Sequence, residues 1–264
     1  IEKPFIGIDT EFRRRSKEEV NLALMQINDG YEIYLVDCIS IGKYEGFCKF
    51  LFNKNVLKIF HSCREDLEVI NSWTKEGLKN IFDTQLANAF LGGSFSVGYQ
   101  ELVNQELDVK INKSETRSNW IRRPLRDAQL KYAATDVQFL LELYETQLED
   151  LERQNKLSWM EEEMSLLLDR QEHAEEDLIS IGKIKLTKSD ELQFLKSFNK
   201  IIVDLSESLL INRTLLFSKK SQKQFLYICL KKGPEEALKN LQSWKKELLL
   251  ERLMDLIEEY KLII

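Results

Sequence analysis

Residues Phe5–Phe12, with the sequence Phe-Ile-Gly-Ile-Asp-Thr-Glu-Phe, decide the fold because they combine an apolar run of strand length with two acids. Side chains two apart in a strand point to the same face, so Asp9 and Glu11 present their carboxylates together, and Gly7 leaves that face open. Like charges this close repel each other, and a divalent cation such as Mg²⁺ or Mn²⁺ would compensate them. The alternative is a strand end at which both acids simply reach water.

The composition of the 264-residue chain is that of a folded globular protein. Hydrophobic residues make up 43% of it, and no apolar run approaches the roughly 20 residues that a membrane span needs. The net charge of −6 disfavours a protein coated in nucleic acid, but it allows an enzyme whose cations are concentrated near one site. Four scattered cysteines and two histidines argue against a zinc site and indicate free thiols in the cytoplasm. Because Ile1 begins inside a stretch that reads as folded, we expect the natural N-terminus to lie upstream.

Strands and helices are predicted to alternate after the first strand. Leu22–Ile27 and Tyr31–Asp37 are strand-like, and Asn28-Asp29-Gly30 between them is a hairpin signal. Val56–His61 and Ile81–Gln85 are predicted as further strands, each followed by a helix. This order predicts an α/β fold in which helices flank a mixed sheet, followed by an all-α helical bundle.

Two acids are placed near the starts of predicted helices. Ser62-Cys63-Arg64-Glu65 matches an S-x-x-E capping box, so a helix is predicted there, with Asp66 in its first turns. That position lies at the carboxyl edge of the sheet, where sites of open α/β folds occur, although Asp66 alone would also suit helix stabilisation. Asp83 is either part of such a site or a helix cap, and we favour the cap.

A helix is also predicted over Tyr44–Phe52.

The region from Lys113 to Arg126 is the most basic loop of the chain, and it contains Trp120. Cations mixed with an aromatic ring suit phosphate contacts and base stacking. The alternative is a solvated loop whose Trp120 packs on the core. A second group of cations, Arg13–Arg15, directly follows the two acids of the first strand.

One long helix is predicted over residues 127–153 from its apolar stripe and the preceding Pro124. Within it, Tyr132 and Asp136 are four residues apart and therefore share a face. Tyrosine at this spacing is more often a core residue than a catalytic one, so the helix alone leaves the role of Tyr132 open.

Taken together, these stretches resemble the motifs of the DEDDy 3′→5′ exonuclease family. The three exonuclease motifs correspond to Ile6–Phe12, His61–Glu68 and Gln129–Val137. Lys113–Trp120, followed by Arg123-Pro124-Leu125, is similar to a motif that bacterial ribonuclease D carries between the second and third of them. The order and spacing agree over roughly residues 5–150, and four ordered motifs are far more specific than any single D-x-E.

The resemblance implies a ribonuclease H-like fold and a nuclease that uses two divalent cations, Mg²⁺ or Mn²⁺. By this resemblance Asp9 bridges both cations, Glu11 and Asp136 complete the first, and Asp66 supports the second. Tyr132 is expected to orient the attacking water, because its ordinary pKa near 10 makes it a poor base at neutral pH. The residues expected to contact RNA are Arg13, Arg14, Lys113, Arg117, Trp120 and Arg123.

The implied reaction is the release of nucleoside 5′-monophosphates from the 3′ end of a structured RNA, such as a tRNA precursor. A DNA exonuclease is an alternative, since no residue decides whether the site contacts a 2′-hydroxyl. A second alternative is an RNA-binding protein that kept the fold and lost catalysis. The protein is expected to be a cytoplasmic monomer without a membrane partner.

Three regions are predicted along the chain: an exonuclease domain over residues 1–155, a helical connector over 156–189 and a helical domain over 190–264. The last is similar in position and size to the HRDC domain that follows the nuclease in ribonuclease D. A basic face on it is hinted at by Lys219, Lys220, Lys223, Lys231 and Lys232. Binding of RNA and a purely stabilising role both remain open for this domain.

Overall fold

The fold is taken from a computed structural model of the chain. The described residues are 5–16, 19–42, 46, 48–111, 115, 118–172 and 186–262. The chain divides into two compact units. The first comprises residues 1–88, 96–157 and 164–174, and the second comprises residues 89–95, 158–163 and 175–264. The three-region division proposed from the sequence stays a prediction.

The first unit is built on a five-stranded mixed sheet with the strand order β3-β2-β1-β4-β5. The strands are β1 (Phe5–Arg14), β2 (Val20–Asn28), β3 (Ile33–Val36), β4 (Leu57–Phe60) and β5 (Ile81–Asp83). β1 is antiparallel to β2 and parallel to β4. β3 extends the antiparallel side, and β5 extends the parallel side. The predicted α/β class with a mixed sheet flanked by helices is confirmed.

The connection between β2 and β3 is the predicted hairpin. Asp29 Oδ1 accepts hydrogen bonds from the backbone N–H groups of Tyr31 and Glu32, and Gly30 has a φ of 87°. The pairing of β1 with β2 contains an irregularity, because Glu11 faces Leu24 whereas Phe12 faces Leu22. The extra residue between these partners makes a β-bulge directly beside Glu11.

Helices lie between and after these strands. In the chain up to residue 172 they are α1 (Cys38–Ile41), α2 (Arg64–Thr74), α3 (Thr84–Phe90), α4 (Tyr99–Leu107), α5 (Asp127–Gln138), α6 (Leu140–Arg153) and α7 (Leu157–Glu172). The predicted helix over Tyr44–Phe52 is observed only as a 3₁₀ turn at Lys49–Phe52, while residues 43–45 and 47 lie outside the described ranges.

The two faces of β1 are covered by different helices. An added Cβ at Gly7 would lie 3.1 Å from the Leu140 Cβ, so a glycine is needed for the close approach of α6. On the opposite face, Ile8 is fully buried, together with Leu67 of α2. β1 is therefore the central strand on which the helices of the first unit converge.

The capping box predicted at Ser62 is wrong. Ser62 has a φ of 63°, and its side chain does not cap α2. Asp83 takes that place, because its two carboxylate oxygens accept the backbone N–H groups of Ser62 and Cys63, each at 2.9 Å. Asp83 also accepts the N–H groups of Gln85 at 2.9 Å and Leu86 at 3.3 Å. The predicted role of Asp83 as a helix cap is confirmed, and it extends to two helices.

The single helix predicted over residues 127–153 is also wrong, because it is broken at Phe139. This residue has φ −107° and ψ 7° and separates α5 from α6. The Tyr99 hydroxyl accepts the Phe139 N–H at 3.0 Å and donates to the Thr135 carbonyl at 3.1 Å. An uninterrupted helix would join these two backbone groups directly. The apolar stripe continues through both helices, but the Tyr99 side chain of α4 interrupts the helical hydrogen bonding between them.

The described part of the second unit is helical, which agrees with the predicted all-α bundle. Its main helices are α8 (Lys188–Leu209), α9 (Arg213–Leu216), α10 (Lys219–Lys232), α11 (Pro234–Lys239) and α12 (Ser243–Glu259). Phe198 packs its ring against Phe194, Phe217 and Phe225, with centroid distances of 6.0, 5.0 and 5.4 Å. Within the described ranges, none of the helices has the length and apolar character that crossing a membrane requires.

Candidate metal centre

The first unit brings four acidic side chains together around β1. Asp9 and Glu11 lie on β1, Asp136 lies on α5, and Asp66 lies in the first turn of α2. Each of Asp9, Glu11 and Asp136 offers a carboxylate oxygen, and these three atoms all lie within 4.8 Å of one another. Three such oxygens can hold one hard cation.

Asp66 stands outside this group of three but is close to it. Its Oδ1 accepts a hydrogen bond from the Thr10 hydroxyl at 2.5 Å, and Thr10 lies between the two acids of β1. Asp66 is almost fully buried. Its charge contributes to raising the pKa of both Asp9 and Glu11, so the carboxylate lies within electrostatic reach of each.

Burial is the largest cause of the unusual pKa values in this cluster. It raises the pKa of Glu11 from 4.5 to about 8, with Asp136 and Asp66 adding to the effect. Burial also raises the pKa of Asp66 and of Asp136 from 3.8 to about 7, and that of Asp9 well above its ordinary value. Without a compensating positive charge, the cluster therefore holds protons near neutral pH.

The donor set fits a divalent cation such as Mg²⁺ or Mn²⁺. All four side chains offer oxygen, which is the ligand atom that these cations prefer. Crowded carboxylates in a buried site are costly unless protons or cations compensate them, and a cation would displace the protons. The acidic cluster is therefore consistent with divalent-metal binding.

Tyr132 lies on the same face of α5 as Asp136, as its spacing predicted. A hydrogen bond from Tyr132 lowers the pKa of Asp136 and so opposes part of the effect of burial. The half-buried Tyr132 ring lies beside Trp120, with a centroid distance of 6.1 Å. The phenol hydroxyl is thus at the acidic cluster, while its ring belongs to the packing around Trp120.

Gln26 lies on the same face of the sheet as the acids of β1, although nothing in the predicted pattern marks it as a site residue. It faces Asp9 directly across the β1–β2 pair, so the two side chains project from the same face of the sheet. Gln26 is fully buried, and among the described residues neither of its amide atoms has a hydrogen-bond partner. The amide is available to a carboxylate or to a water on this face. A glutamine is unusual inside the apolar run Leu22–Ile27, but this alone does not indicate a site.

Arg123 is not available for the RNA contact that was predicted. Its Nε and Nη2 donate to the Asp37 carboxylate at 2.8 and 2.6 Å. Nη1 donates to the carbonyls of Trp120 and Arg122, and Nη2 donates to that of Ala23 at 2.9 Å. A guanidinium has five N–H donors, and these bonds use all of them. Because Ala23 is the extra residue of the bulge, Arg123 fixes the loop to the irregular pairing beside Glu11.

The ion pair with Arg123 also has an electrostatic signature. Hydrogen bonds from the Arg123 guanidinium hold the pKa of Asp37 well below its ordinary value. Asp37 in turn accepts the backbone N–H groups of Ile39 and Ser40 at the start of α1. The pair therefore joins the loop before α5 to the end of β3.

Trp120 does not offer a surface for base stacking, which corrects that prediction. Only 4% of the residue is exposed, and it is part of a core cluster with Ala23, Leu24 and Ala133. The alternative considered for this loop, a tryptophan that packs on the core, is confirmed.

The other cations predicted to contact RNA have different surroundings. Arg14 donates to both carboxylate oxygens of Glu68 at 2.8 and 2.9 Å, which is an exposed ion pair with α2, and its contact with RNA stays a prediction. Arg13 is exposed and lines a cavity of about 300 Å³ together with Phe12 and Ser118. Lys113 and Arg117 lie outside the described residues.

Comparison of the sequence with known proteins finds a match to a family model. The family is described as 3′-5′ exonuclease, and its model matches residues 2–152. Ribonuclease D of Shewanella sp. (strain ANA-3) is 38% identical over 162 residues, which are 61% of this chain and 42% of that protein. Ribonuclease D of Haemophilus influenzae is 44% identical over 143 residues, or 54% of this chain and 36% of that protein. The chain thus spans less than half the length of these curated relatives.

Comparison with solved structures agrees with the fold. Escherichia coli RNase D, described as an exoribonuclease involved in structured RNA processing, gives a TM-score of 0.61 at 24% identity, covering 98% of this chain and 70% of that one. Brucella melitensis NrnC with bound Mg²⁺ gives a TM-score of 0.59 at 28% identity, and the match covers 64% of this chain and 84% of that one. The same Brucella protein has been solved bound to pGG, with a TM-score of 0.60 at 28% identity, covering 67% and 90%.

Proposed function

The chain belongs to the 3′-5′ exonuclease family, and from this premise we propose that it hydrolyses RNA from the 3′ end and releases nucleoside 5′-monophosphates. The observation that carries the proposal is the group of Asp9, Glu11 and Asp136 with their carboxylate oxygens within 4.8 Å of one another. The similarity to curated ribonuclease D proteins along the same part of the chain supports RNA as the substrate.

The four acids would hold the cations that the reaction needs. Asp9, Glu11 and Asp136 would share one divalent cation, and Asp9 together with Asp66 would hold a second, directly or through water. When bound, such a pair of cations lowers the pKa of the attacking water and stabilises the charge on the leaving oxygen. Thr10 fixes Asp66 by its hydrogen bond, so the fourth carboxylate is oriented before a cation arrives. Binding of Mg²⁺ by the similar Brucella protein supports this choice of ion.

Tyr132 would orient the attacking water. Its hydroxyl is hydrogen-bonded to Asp136 and keeps lone pairs that can accept a hydrogen bond from water. Proton acceptance by a phenol is unfavourable at neutral pH, so we assign Tyr132 an orienting role.

The RNA backbone would be held by the cations that remain exposed. Arg13 and Arg122 are exposed on the described surface near the loop before α5. Lys113 and Arg117 belong to the same proposal on the basis of the sequence motif. Structured RNAs such as tRNA precursors are the proposed substrates, and a monomer is the proposed state. Four buried free cysteines fit a reducing compartment such as the cytoplasm.

The helical region after residue 190 would assist the nuclease as an HRDC-like domain, either by binding RNA or by stabilising the enzyme. Helix α10 presents exposed Lys219, Lys220 and Lys223 and contains no acid. Such a face suits phosphate contacts.

The test is hydrolysis of a 5′-labelled single-stranded RNA in Mg²⁺, Mn²⁺ or EDTA, beside DNA of the same sequence. A ladder that shortens from the 3′ end only with a cation, and that disappears in Asp9→Asn, is the expected result. Faster degradation of the DNA would replace RNA by DNA as the substrate. RNA binding that survives EDTA, without products in either cation, would mean that the protein binds RNA and has lost catalysis.

A further inference from the structure

The break between α5 and α6 is filled by a hydroxyl group from another helix. Tyr99, the first residue of α4, inserts its Oη between the Thr135 carbonyl and the Phe139 N–H, with distances of 3.1 and 3.0 Å. In a continuous helix these two groups would bond to each other at about 2.9 Å. The inserted hydroxyl holds them apart while it satisfies both.

A second side chain takes up the carbonyls that the break releases. The Asn28 amide nitrogen donates to the carbonyls of Val137 at 3.0 Å and Gln138 at 3.1 Å. Asn28 is itself fixed, because its Oδ1 accepts the Gly30 N–H of the hairpin turn at 2.9 Å. The break is therefore satisfied from two sides, by α4 and by the end of β2.

Tyr99 is held firmly in its position. Its ring meets the His61 ring edge to face at a centroid distance of 5.8 Å. The two ring nitrogens of His61 are hydrogen-bonded to the Thr84 hydroxyl and to the Val97 carbonyl. Burial raises the pKa of Tyr99, so the hydroxyl keeps its proton and can donate to Thr135 throughout the ordinary pH range.

The break lies immediately beside the acidic cluster. Asp136 directly follows Thr135, whose carbonyl accepts from Tyr99, and it precedes Phe139 by one turn. On the other side of the break, Leu140 packs against Gly7 of β1. A change in the angle between α5 and α6 would therefore move Asp136 relative to Asp9, because α6 is already fixed against the same strand.

We propose that Tyr99 is a positioning residue whose hydroxyl keeps this break open and so holds the Asp136 carboxylate within reach of Asp9 and Glu11. Tyr99 would act through the helix backbone, and this inference rests on the proposed function, in which the cluster binds cations. Loss of the hydroxyl would let the Phe139 N–H and the Thr135 carbonyl approach each other, which would draw Asp136 away from its two partners. Groups that orient a ligand without touching the metal typically change metal affinity or activity by about 10–100-fold.

The test compares Mn²⁺ binding by the full chain, its Tyr99→Phe variant and a matched control. Val103→Ala is the control, because Val103 is fully buried in the helix that carries Tyr99 and donates no side-chain hydrogen bond. Calorimetric titration with Mn²⁺ gives the affinity, circular dichroism reports folding, and RNA hydrolysis at rising Mn²⁺ gives kcat and KM. We expect Tyr99→Phe to raise the Kd for Mn²⁺ about 10-fold or more and to leave the KM for RNA near the parent value.

The outcomes separate this inference from the proposed function. If the parent chain binds no Mn²⁺, the proposed function fails, and the positioning role fails with it. If the parent binds and Tyr99→Phe binds within about twofold of it, only the positioning role is overturned. An equal loss of affinity in Val103→Ala would also overturn it, because general destabilisation would then explain the effect. Should Tyr99→Phe not fold, hydrogen exchange of the parent chain tests the same coupling. Mn²⁺ should slow exchange at the Phe139 N–H, which donates to the Tyr99 hydroxyl, and unchanged exchange there would overturn the role.

Discussion

Replacing Glu11 by glutamine should make the metal-free protein more stable while it abolishes hydrolysis. The side chain keeps its shape and loses its charge, so packing is conserved. In the parent, burial and the neighbouring acids raise the pKa of Glu11 from 4.5 to about 8. The folded chain therefore holds a proton that the unfolded chain releases at lower pH. The free energy of unfolding that depends on this proton is fully present below about pH 4.5. It is lost as the pH rises through about 8, where folded Glu11 ionises.

The size of the effect follows from the shift in the Glu11 pKa. One pKa unit corresponds to about 1.4 kcal/mol, so a shift from 4.5 to about 8 costs about 3–4 kcal/mol of stability between about pH 5 and 8. Removing Glu11 also relieves the repulsion that raises the pKa of Asp9, which acts in the same direction. For a chain of this size, the difference corresponds to roughly 10 °C in Tm.

The assay is thermal unfolding in EDTA at about pH 5 and about pH 8, with Glu149→Gln as the control. Glu149 is an exposed acid on α6, so its replacement should leave the pH dependence unchanged. Glu11→Gln should match the parent at about pH 5 and exceed it at about pH 8. Addition of Mn²⁺ at about pH 8 should raise the Tm of the parent much more than that of Glu11→Gln. A Glu11→Gln variant that follows the parent at both pH values would refute the electrostatic account of the cluster.

Three further substitutions test other parts of the structure. Tyr132→Phe should lower the rate of RNA hydrolysis by about 10²-fold and leave folding intact, and unchanged turnover would make Tyr132 a packing residue. Arg123→Ala should lower the free energy of unfolding in urea by about 2–3 kcal/mol, because Asp37 loses a bidentate partner, and a purely RNA-binding role would instead leave stability unaffected. Gly7→Ala should cost about 1–3 kcal/mol in the same titration, because its Cβ would press on α6. The control Gly98→Ala meets no atom within 4 Å and should cost less, because it changes only the N-cap of α4.

The features that were predicted correctly from the sequence depend on local patterns. The alternation in β1 predicts that Asp9 and Glu11 share a face, and the four-residue spacing on α5 does the same for Tyr132 and Asp136. The hairpin signal at Asn28-Asp29-Gly30 also depends only on adjacent residues. The mixed sheet follows from the order of such elements, and the family motifs reinforce it.

The features that were missed depend on partners distant in sequence. The break at Phe139 is made by Tyr99, 40 residues earlier in the chain, and no pattern within the helix indicates it. The sequence predicts Arg123 as a cation for RNA because its partner, the Ala23 carbonyl at the bulge, arises only when β1 and β2 pair. Charge and aromatic content predict the composition of a surface, but they do not show which cations the protein itself already uses.

Asp83 joins the starts of α2 and α3, because its single carboxylate accepts hydrogen bonds from backbone N–H groups at both. If either helix start opened, the Asp83 carboxylate would lose hydrogen-bond donors and would cap the other helix less firmly. The two segments should therefore open as one cooperative unit. In hydrogen-exchange terms, the amides of Ser62, Cys63 and Gln85 should gain and lose protection together. A cation that stabilises Asp66 on α2 would then slow exchange at Gln85, so occupancy of the acidic cluster could be read from the solvent exchange of a backbone amide on a neighbouring helix.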